Sequence, residues 1–334
     1  ISNSAIIFDE KEPELDFKLD EIMWSTFRHI NCKNILFIFV GDKNQLPPLK
    51  HDYCPALNEE YLTNRYGLSG KSYSLKTMHR QTSESNIPKL AENFISFDNE
   101  ISRAIPSIEK IEKDVQIIEN SEVVDIFFDL YFENKHDVKI ITATNKKADY
   151  YNFLIKEKLS TGKSKFFAPY QIPKDNLEPQ KGDILQIFAN SSGIFDFPMF
   201  NGQFLEVLEL GSVSETILKK GNRIFDNIPF ITQQLTVDTI SDSGERAGNP
   251  QTIEISIDHL INSYSLTKQE YEYFDKKDKG MLYKIKDYIS KIDSKRVYFN
   301  KLYNPVLTRY GYAITGHKAQ GGGWKNIILS LIHI

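Results

Sequence analysis

The sequence predicts an α/β protein whose parallel sheets are interrupted by a β-rich insert. A continuous apolar run over 35–40, closed by Gly-Asp, predicts a fully buried strand of a parallel sheet. A second strand over 138–144 leads directly into a helix over 146–159. After Lys181, four β-rich segments separated by Gly, Asn, Asp and Ser predict a small antiparallel barrel or sandwich. Because the strand–turn–helix pattern returns after Arg309, we expect the β-rich part to be inserted in an α/β domain.

Periodicity and turn chemistry predict the remaining elements. Asn201-Gly202, between two β segments, predicts a plain hairpin turn. Apolar spacing and helix-start signals predict four further helices and one short strand. The helices cover 13–30, 86–97, 121–132 and 267–292, and the strand covers 73–80.

Composition limits the class of protein. The 334 residues suffice for two domains or slightly more, and an apolar fraction of 40% argues against disorder over most of the length. The net charge of −4 argues against a protein coated in positive charge, although a locally basic channel would still suit nucleic acid. Cys32 and Cys54 lack metal-site spacing, so we expect reduced thiols in a cytoplasmic protein. No apolar run reaches the roughly 18 residues that cross a bilayer, and the start at Ile1 without methionine suggests a fragment.

The first informative motif is GDKNQLPP, from Gly41 to Pro48, at the end of a predicted strand. In open α/β sheets, ligands bind beyond the carboxyl ends of the strands. Gly41 permits a sharp turn, and the Gln45 amide, which both donates and accepts hydrogen bonds, can bridge a phosphate and a neighbouring domain. An ordinary turn is the alternative, and six fixed positions favour a functional loop.

The second motif is MHRQ, residues 78–81, which contains Arg80 and lies at the end of the predicted strand over 73–80. A planar guanidinium can hold a γ-phosphate with two hydrogen bonds. A lone surface arginine would need no such role. The position of Arg80 after the GDKNQLPP motif favours the phosphate.

The third motif is TATN, which ends the predicted strand over 138–144. Hydroxyl and amide groups at the start of a helix can bind a DNA phosphate, and they can equally cap the helix. Both roles stay open for Thr144 and Asn145, since one side chain can serve both.

The fourth motif is YAITGHKAQG, from Tyr312 to Gly321. A predicted strand ends at Thr315, and the turn after it places His317, Lys318 and Gln320 beyond the end of that strand. The glycines around these residues let backbone amides approach phosphates. A plain glycine-rich loop is the alternative, and the density of polar residues disfavours it.

Together these motifs resemble those of superfamily 1B DNA helicases, the group of RecD, TraI and Dda. YAITGHKAQG resembles the family's motif V, written AxTxHKxQG; GDKNQLPPL resembles motif III, and MHRQ resembles motif IV. KGDILQIFAN and FNGQFLEVLEL resemble the family's β-rich stretch around an inserted SH3-like domain. The shared order covers roughly residues 35–329, which makes chance agreement improbable.

The resemblance implies two RecA-like P-loop domains, 1A and 2A, and an SH3-like subdomain 2B with a helical extension. Domain 1A would cover 1–70, domain 2A would cover 71–178 and 297–334, and subdomain 2B would cover 179–296. The implied activity is ATP-dependent, 5′-to-3′ movement along single-stranded DNA with Mg²⁺, as in DNA repair or recombination.

The resemblance also implies roles for individual residues. Gln45 and Arg80 would act in catalysis, Gln45 by coupling the nucleotide state to the DNA-binding face and Arg80 by contacting the γ-phosphate. The implied nucleotide-binding residues are Gly41, Asp42, Gln45, Arg80, Gln320 and Gly321. The implied DNA-binding residues are Thr144, Asn145, Thr315, His317 and Lys318.

Two parts of such a motor are missing from the sequence. It contains no GxxxxGK[ST] loop and no arginine motif after HKAQG, so we expect this chain alone to hydrolyse no ATP. Ala5 to Glu10 resembles a strand ending in an Asp-Glu pair that could hold Mg²⁺. Because Lys11-Glu12-Pro13 follows it instead of the family's small residues, we expect the true acid pair to precede Ile1. Asp9 and Glu10 would then lie in a solvated loop.

Three other functions stay open. A non-catalytic module that binds single-stranded nucleic acid would also lack GxxxxGK[ST]. A superfamily 1 helicase directed at RNA is a second alternative, but the residues HKAQG resemble the DNA-directed RecD group. A structural domain whose motifs coincide by chance is the third.

Overall fold

A computed structural model provides the structure of the protein, and contacts divide the chain into two units, Ile1–Glu119 and Asn120–Ile334. This division falls later than the boundary predicted after residue 70. The residues 75–80 and 267–292, with their predicted strand and helix, lie outside the described part of the chain. The structure describes residues 4–9, 23–25, 35–46, 53–74, 87–88, 90–91, 114–162, 177–188, 199–220, 223–241, 244–262 and 305–330.

The first unit contains two parallel strands, β1 (Ser4–Asp9) and β2 (Ile35–Val40). A 3-10 turn (Pro55–Leu57) and helix α1 (Glu59–Tyr66) follow. The Asn58 side chain caps α1 by accepting a hydrogen bond from the backbone of Tyr61, and Gly67 ends the helix in the left-handed conformation. Residues 23–25, 87–88 and 90–91 are helical, inside the two helices predicted for this unit.

Strand β2 is buried on one face only, so the prediction of a fully buried strand is wrong. Phe37 and Phe39 are half-buried and pack against the buried Met23 and Ala56, whereas the alternate residues of β2 are exposed. Leu36, for example, is 63% exposed. The physical reason is the period of two along a strand: the described core of this unit covers one face of a two-stranded sheet, and every second side chain faces away from it.

The second unit begins with the predicted α/β pattern. Helix α2 (Val123–Glu133), strand β3 (Val138–Thr142) and helix α3 (Asn145–Thr161) follow in order. Strand β3 lies between two parallel partners, β9 (Ala313–Thr315) and β10 (Asn326–Ser330). The helices over 121–132 and 146–159 and the strand over 138–144 are therefore confirmed, and the chain is a mixed α/β protein.

The β-rich part contains the strands β4 (Ile184–Ile187), β5 (Phe204–Lys220), β6 (Arg223–Ile240), β7 (Gln251–Ser256) and β8 (Thr308–Tyr310). They form a five-stranded antiparallel sheet with the order β7-β6-β5-β4-β8. A bridge between Ile255 and Val306 joins the β7 edge to the residues just before β8. The sheet therefore curls towards closure, as a small barrel does. The short helix α4 (Ile257–Asn262) follows β7.

The return from the β-rich part to the α/β part occurs within a few residues. Strand β8 still pairs with β4, whereas β9, three residues later, pairs with β3. Gly311 lies between them, and a side chain there would meet the Phe204 ring at 3.0 Å. The chain passes from one sheet to the other at this point because a glycine permits close packing.

Asn201-Gly202 is a turn, but not the plain hairpin turn that the sequence predicts. The backbone N–H of Gln203 donates to the carbonyl of Phe200 over 3.1 Å, and Gly202 has a φ of +95°. Gly is favoured at this position because L side chains rarely adopt such a φ. Strands β4 and β5 pair from Ile184 with Glu206 to Gln186 with Phe204, so the turn lies at the start of β5 within a longer connection. It is therefore not a two-residue hairpin loop.

A buried polar network joins the antiparallel sheet to the α/β part of this unit. The Asp183 carboxylate, in the turn before β4, accepts hydrogen bonds from Lys156 Nζ at 2.6 Å and from the Tyr312 hydroxyl at 2.8 Å. Both the lysine and the tyrosine side chains are almost fully buried. Burial, with the adjacent Asp183 charge, raises the pKa of Tyr312 well above its ordinary value, so its hydroxyl stays a donor.

Lys139 of β3 is a second buried contact between the two sheets. Its ammonium donates to the Gly311 carbonyl at 2.6 Å and lies 4.5 Å from the centre of the Phe204 ring. Burial lowers the pKa of Lys139 to about 7.

None of the described helices is both long and apolar enough to cross a membrane.

Candidate nucleic-acid interface

Two of the predicted loops lie side by side at the carboxyl edge of the parallel sheet. Strands β3 and β9 are adjacent, and Thr142 is paired with Thr315 in their register. The Thr142 hydroxyl donates to the carbonyl of Ile314 at 3.3 Å. Because parallel strands end at the same edge, the TATN and YAITGHKAQG motifs offer their polar residues to one region of the surface.

Thr144 caps helix α3. Its hydroxyl accepts a hydrogen bond from the backbone N–H of Lys147 at 3.3 Å, and its backbone is extended, as an N-cap requires. Asn145 is the first residue of the helix, and both side chains are exposed. The capping role proposed for Thr144 is confirmed, and the contact with DNA stays a prediction.

The residues after β9 form a short helix, α5 (Gly316–Ala319). Thr315 precedes it and is buried, with 8% of its surface exposed. His317 and Lys318 are half-buried on α5. Of the three DNA-binding residues predicted here, these two are therefore the more accessible to a ligand.

Lys318 lies in a partly buried, positively charged setting. Its ammonium donates to the Asn201 side-chain carbonyl, which places the turn before β5 against the loop after β9. Burial, together with the nearby charge of Arg309, lowers the pKa of Lys318 to about 8. An anion placed beside Lys318 would reverse this effect.

Arg309 of β8 and Lys318 both lie near the Phe188 ring, and sequence reasoning did not identify Arg309. Its guanidinium contacts the Asp149 carboxylate of α3, with Nη1 at 3.2 Å from Oδ2. The centre of the guanidinium lies 4.3 Å from the centre of the Phe188 ring. Burial raises the pKa of Asp149 to about 6, against the opposing effect of Arg309. The alternation of TRYGY around Arg309 is a strand signal, and nothing in it marks a partner 160 residues away.

Asn152 of α3 fixes the backbone that leads into β9. Its side-chain oxygen accepts from the N–H groups of Tyr312 and Ala313 at 2.9 and 2.7 Å. Its side-chain nitrogen donates to the carbonyl of Ala313 at 2.8 Å. A buried amide thus satisfies three backbone groups at the edge of the sheet, just before the proposed DNA-binding residues.

The glycine run after α5 has a packing role. Gly321 has a φ of +78°, which favours glycine. A Cβ at Gly322 would overlap the Trp324 indole, whose ring makes an edge contact with Phe204 at 6.2 Å. Gln320 is half-buried. Close packing explains the run in part, and the nucleotide contacts predicted for Gln320 and Gly321 stay predictions.

In the first unit, the loop after β2 is exposed from Gly41 to Leu46. Asp42 stabilises it, since its carboxylate accepts from the backbone N–H of Asn44 at 2.9 Å and its carbonyl accepts from that of Gln45 at 3.1 Å. Gln45 is therefore presented on a defined turn at a strand end. Arg80, the other predicted phosphate contact, lies outside the described residues.

The structure corrects the expectation that Asp9 lies in a solvated loop. Asp9 is the last residue of β1, directly opposite Val40 in the parallel register with β2. The apolar run over 5–8 accounts for this, because four consecutive apolar residues favour a strand over a loop. Asp9 and the Gly41–Gln45 loop therefore share one end of one sheet. Glu10 is outside the described residues.

Within the described part of the chain, no group of three or more His, Cys, Asp or Glu side chains could hold a metal ion. No protein-family model matches the sequence, and no curated protein is significantly similar to it. The chain's own motifs and geometry therefore carry its functional interpretation.

Proposed function

We propose that this chain is the DNA-binding part of an ATP-driven motor of the RecD and Dda type, which moves 5′ to 3′ along single-stranded DNA. One observation carries the proposal: the TATN and YAITGHKAQG loops, predicted separately as DNA contacts, follow adjacent parallel strands. Their exposed or half-buried polar residues include Thr144, Asn145, His317 and Lys318. Such a surface suits a strand bound mainly through its phosphates.

The same proposal assigns the first unit to the nucleotide side of the motor. The Gln45 turn and Asp9 lie at the carboxyl end of adjacent strands, where an α/β sheet binds ligands. A carboxylate at Asp9 would suit Mg²⁺ bound to ATP, and the Gln45 amide would suit the γ-phosphate. Arg80 is proposed as a further γ-phosphate contact on the strength of its motif. The two sheets would then be RecA-like cores, with the five-stranded sheet as the SH3-like insert.

Binding of single-stranded DNA tests the proposal. We expect Lys318→Gln to weaken binding of an oligothymidine of about twelve nucleotides by about tenfold at low salt, because one phosphate contact is lost. Fluorescence anisotropy measures the affinity. The slope of log affinity against log salt should become shallower by about 0.7. Affinity of the wild type should fall as the pH rises through about 8, where Lys318 loses its proton, and Lys318→Gln should lose most of this fall.

Lys181→Gln is the matched control. Lys181 is an exposed lysine in the turn before β4, whereas Phe188, beside Lys318, follows the other end of that strand. Its loss should leave the affinity and the salt slope unchanged. Equal effects of the two substitutions would indicate nonspecific attraction, and a preference for an RNA of the same length would favour the RNA-directed alternative.

A non-catalytic module that binds single-stranded nucleic acid is the second candidate, favoured by the lack of GxxxxGK[ST] in the 334 residues. DNA-stimulated ATP hydrolysis separates the candidates in a version of the protein that carries a GxxxxGK[ST] loop: a motor then hydrolyses ATP, whereas a non-catalytic module does not. Because this loop cradles the phosphates, we expect the 334-residue chain alone to release no phosphate from ATP, with or without oligothymidine. Steady turnover by the purified chain would contradict this expectation and would require another phosphate-binding element.

A further inference from the structure

Two cationic side chains share one aromatic ring at the edge of the proposed DNA-binding surface. The guanidinium of Arg309 lies 4.3 Å from the centre of the Phe188 ring, and the ammonium of Lys318 lies 5.9 Å from it. Arg309 belongs to β8, whereas Lys318 belongs to α5, so two separate elements bring the charges together. Such proximity is unfavourable without a counter-ion.

The described contacts leave this pair with an excess of positive charge. Arg309 is paired with Asp149, whereas the described hydrogen-bond partner of Lys318 is the uncharged amide of Asn201. The described hydrogen bonds of Arg309 use Nη1 alone, and its side chain is 22% exposed. The guanidinium therefore keeps further N–H donors, so the site has both charge and hydrogen-bonding capacity for an anion.

We propose that Arg309 and Lys318 together bind one backbone phosphate of the nucleic-acid strand, and this proposal rests on the proposed function. A guanidinium offers several donors in one plane, and an ammonium adds a mobile charge, a combination that fits phosphate oxygens. The Arg309 side chain is 22% exposed and Lys318 is half-buried, so both are within reach of a ligand. Arg309 is thus a DNA-binding residue outside the recognised motifs.

We call Arg309 and Lys318 the phosphate clamp, and three neighbours hold both side chains in position before the phosphate binds. Phe188 contacts the face of the guanidinium, Asp149 holds Nη1, and Asn201 holds the ammonium. Of these, Asp149 alone competes with the phosphate for positive charge, because Asn201 and Phe188 are neutral. Removing the Asp149 charge should therefore strengthen binding, an effect that a purely structural Arg309–Asp149 pair would not produce.

A double-mutant cycle tests the shared phosphate. Arg309→Gln and Lys318→Gln should each weaken oligothymidine binding by about tenfold, and the double variant should lose far less than the hundredfold expected of independent contacts. The salt slope of the double variant should become shallower by about 0.7, the value for one phosphate, and a decrease of about 1.4 would indicate two phosphates and overturn the clamp. Asp149→Asn should tighten binding several-fold.

Arg246→Gln is the matched control, since Arg246 is an exposed arginine of the same β-rich part, paired with Glu206 at 3.5 Å. It should change neither affinity nor slope. If Arg309→Gln fails to fold, Asp149→Asn and Arg309→Lys carry the test: tighter binding by the first and a retained salt slope in the second are expected. Unchanged affinity in Asp149→Asn would then overturn the clamp.

The two proposals fail differently. Wild-type binding that Arg309→Gln leaves unchanged overturns the clamp and leaves the proposed function standing. Absence of wild-type binding to oligothymidine, even at low salt, overturns both.

Discussion

Replacing Asp183 by alanine is expected to destabilise the second unit by about 3–5 kcal/mol, the range for removing one partner of a buried ion pair. The substitution leaves the Lys156 ammonium buried without its 2.6 Å partner and deprives the Tyr312 hydroxyl of its acceptor. It also removes the acceptor for the backbone N–H of Gln180 in the same turn. Urea unfolding followed by circular dichroism measures the change in the free energy of unfolding.

The protein supplies a control at the same distance. Asp125 contacts Lys158 at 2.6 Å, two residues beyond Lys156 on the same helix, but the Asp125 side chain is 64% exposed. Because solvent screens this pair, Asp125→Ala should cost less than about 1 kcal/mol. The double variant Lys156→Met, Asp183→Leu should be more stable than Asp183→Ala, since no buried charge remains. Equal losses in Asp183→Ala and Asp125→Ala would show that burial does not set the strength of the Asp183 pair.

Replacing Asn152 by alanine is expected to destabilise the second unit by about 2–4 kcal/mol, because each buried backbone group left unsatisfied costs about 1–3 kcal/mol before any relaxation. The loss is local, so hydrogen exchange is the sharper measurement. In Asn152→Ala, the amide protons of Tyr312 and Ala313, which donate to Asn152 in the wild type, should exchange faster than in the wild type. The exchange of the β3 amide protons should increase less.

Asn134→Ala provides the comparison for Asn152. Asn134 also hydrogen-bonds through its side chain, to Asp137, but it is exposed. Its loss should change stability by under about 0.5 kcal/mol. Because Asn152 holds the residues before Thr315, Asn152→Ala should also weaken oligothymidine binding. Unchanged protection of Tyr312 and Ala313 in Asn152→Ala would contradict the role assigned to this amide.

Strand and helix signals explain most of what the sequence predicted of the fold. The strands predicted over 35–40 and 138–144 form as Ile35–Val40 and Val138–Thr142, and the Thr144 cap marks the start of α3, because period and capping are local properties. The β-rich segments after Lys181 pair as an antiparallel sheet for the same reason. The RecA-like and SH3-like assignments stay proposals, since local patterns do not specify a fold family.

What the sequence did not predict depends on contacts between distant residues. Lys156 and Asp183 look like surface charges in their local sequences, and their burial follows only from the packing of the turn before β4 against α3. The Arg309–Asp149 pair joins residues 160 positions apart. The exposed face of β2 likewise depends on which neighbours the sheet has.

The same dependence on packing applies to the DNA-binding prediction. His317 and Lys318 were identified from their motif, and the structure adds that Thr142 and Thr315 lie opposite each other in the register. The second cation of the proposed clamp, on β8, had no motif to mark it. Local chemistry thus indicates which residues can bind a phosphate, and only the folded chain brings several of them together.

The buried Lys139 makes the stability of the contact between the two sheets of the second unit depend on pH. In the folded protein its pKa is about 7, whereas an unfolded chain keeps the proton up to about 10.4. The unfolded state therefore binds more protons between these values, and stability rises with pH across that window. Below about pH 7, a charged lysine must remain enclosed between Gly311 and Phe204. Acidification thus loosens the attachment of the five-stranded sheet to the strand that carries the TATN loop.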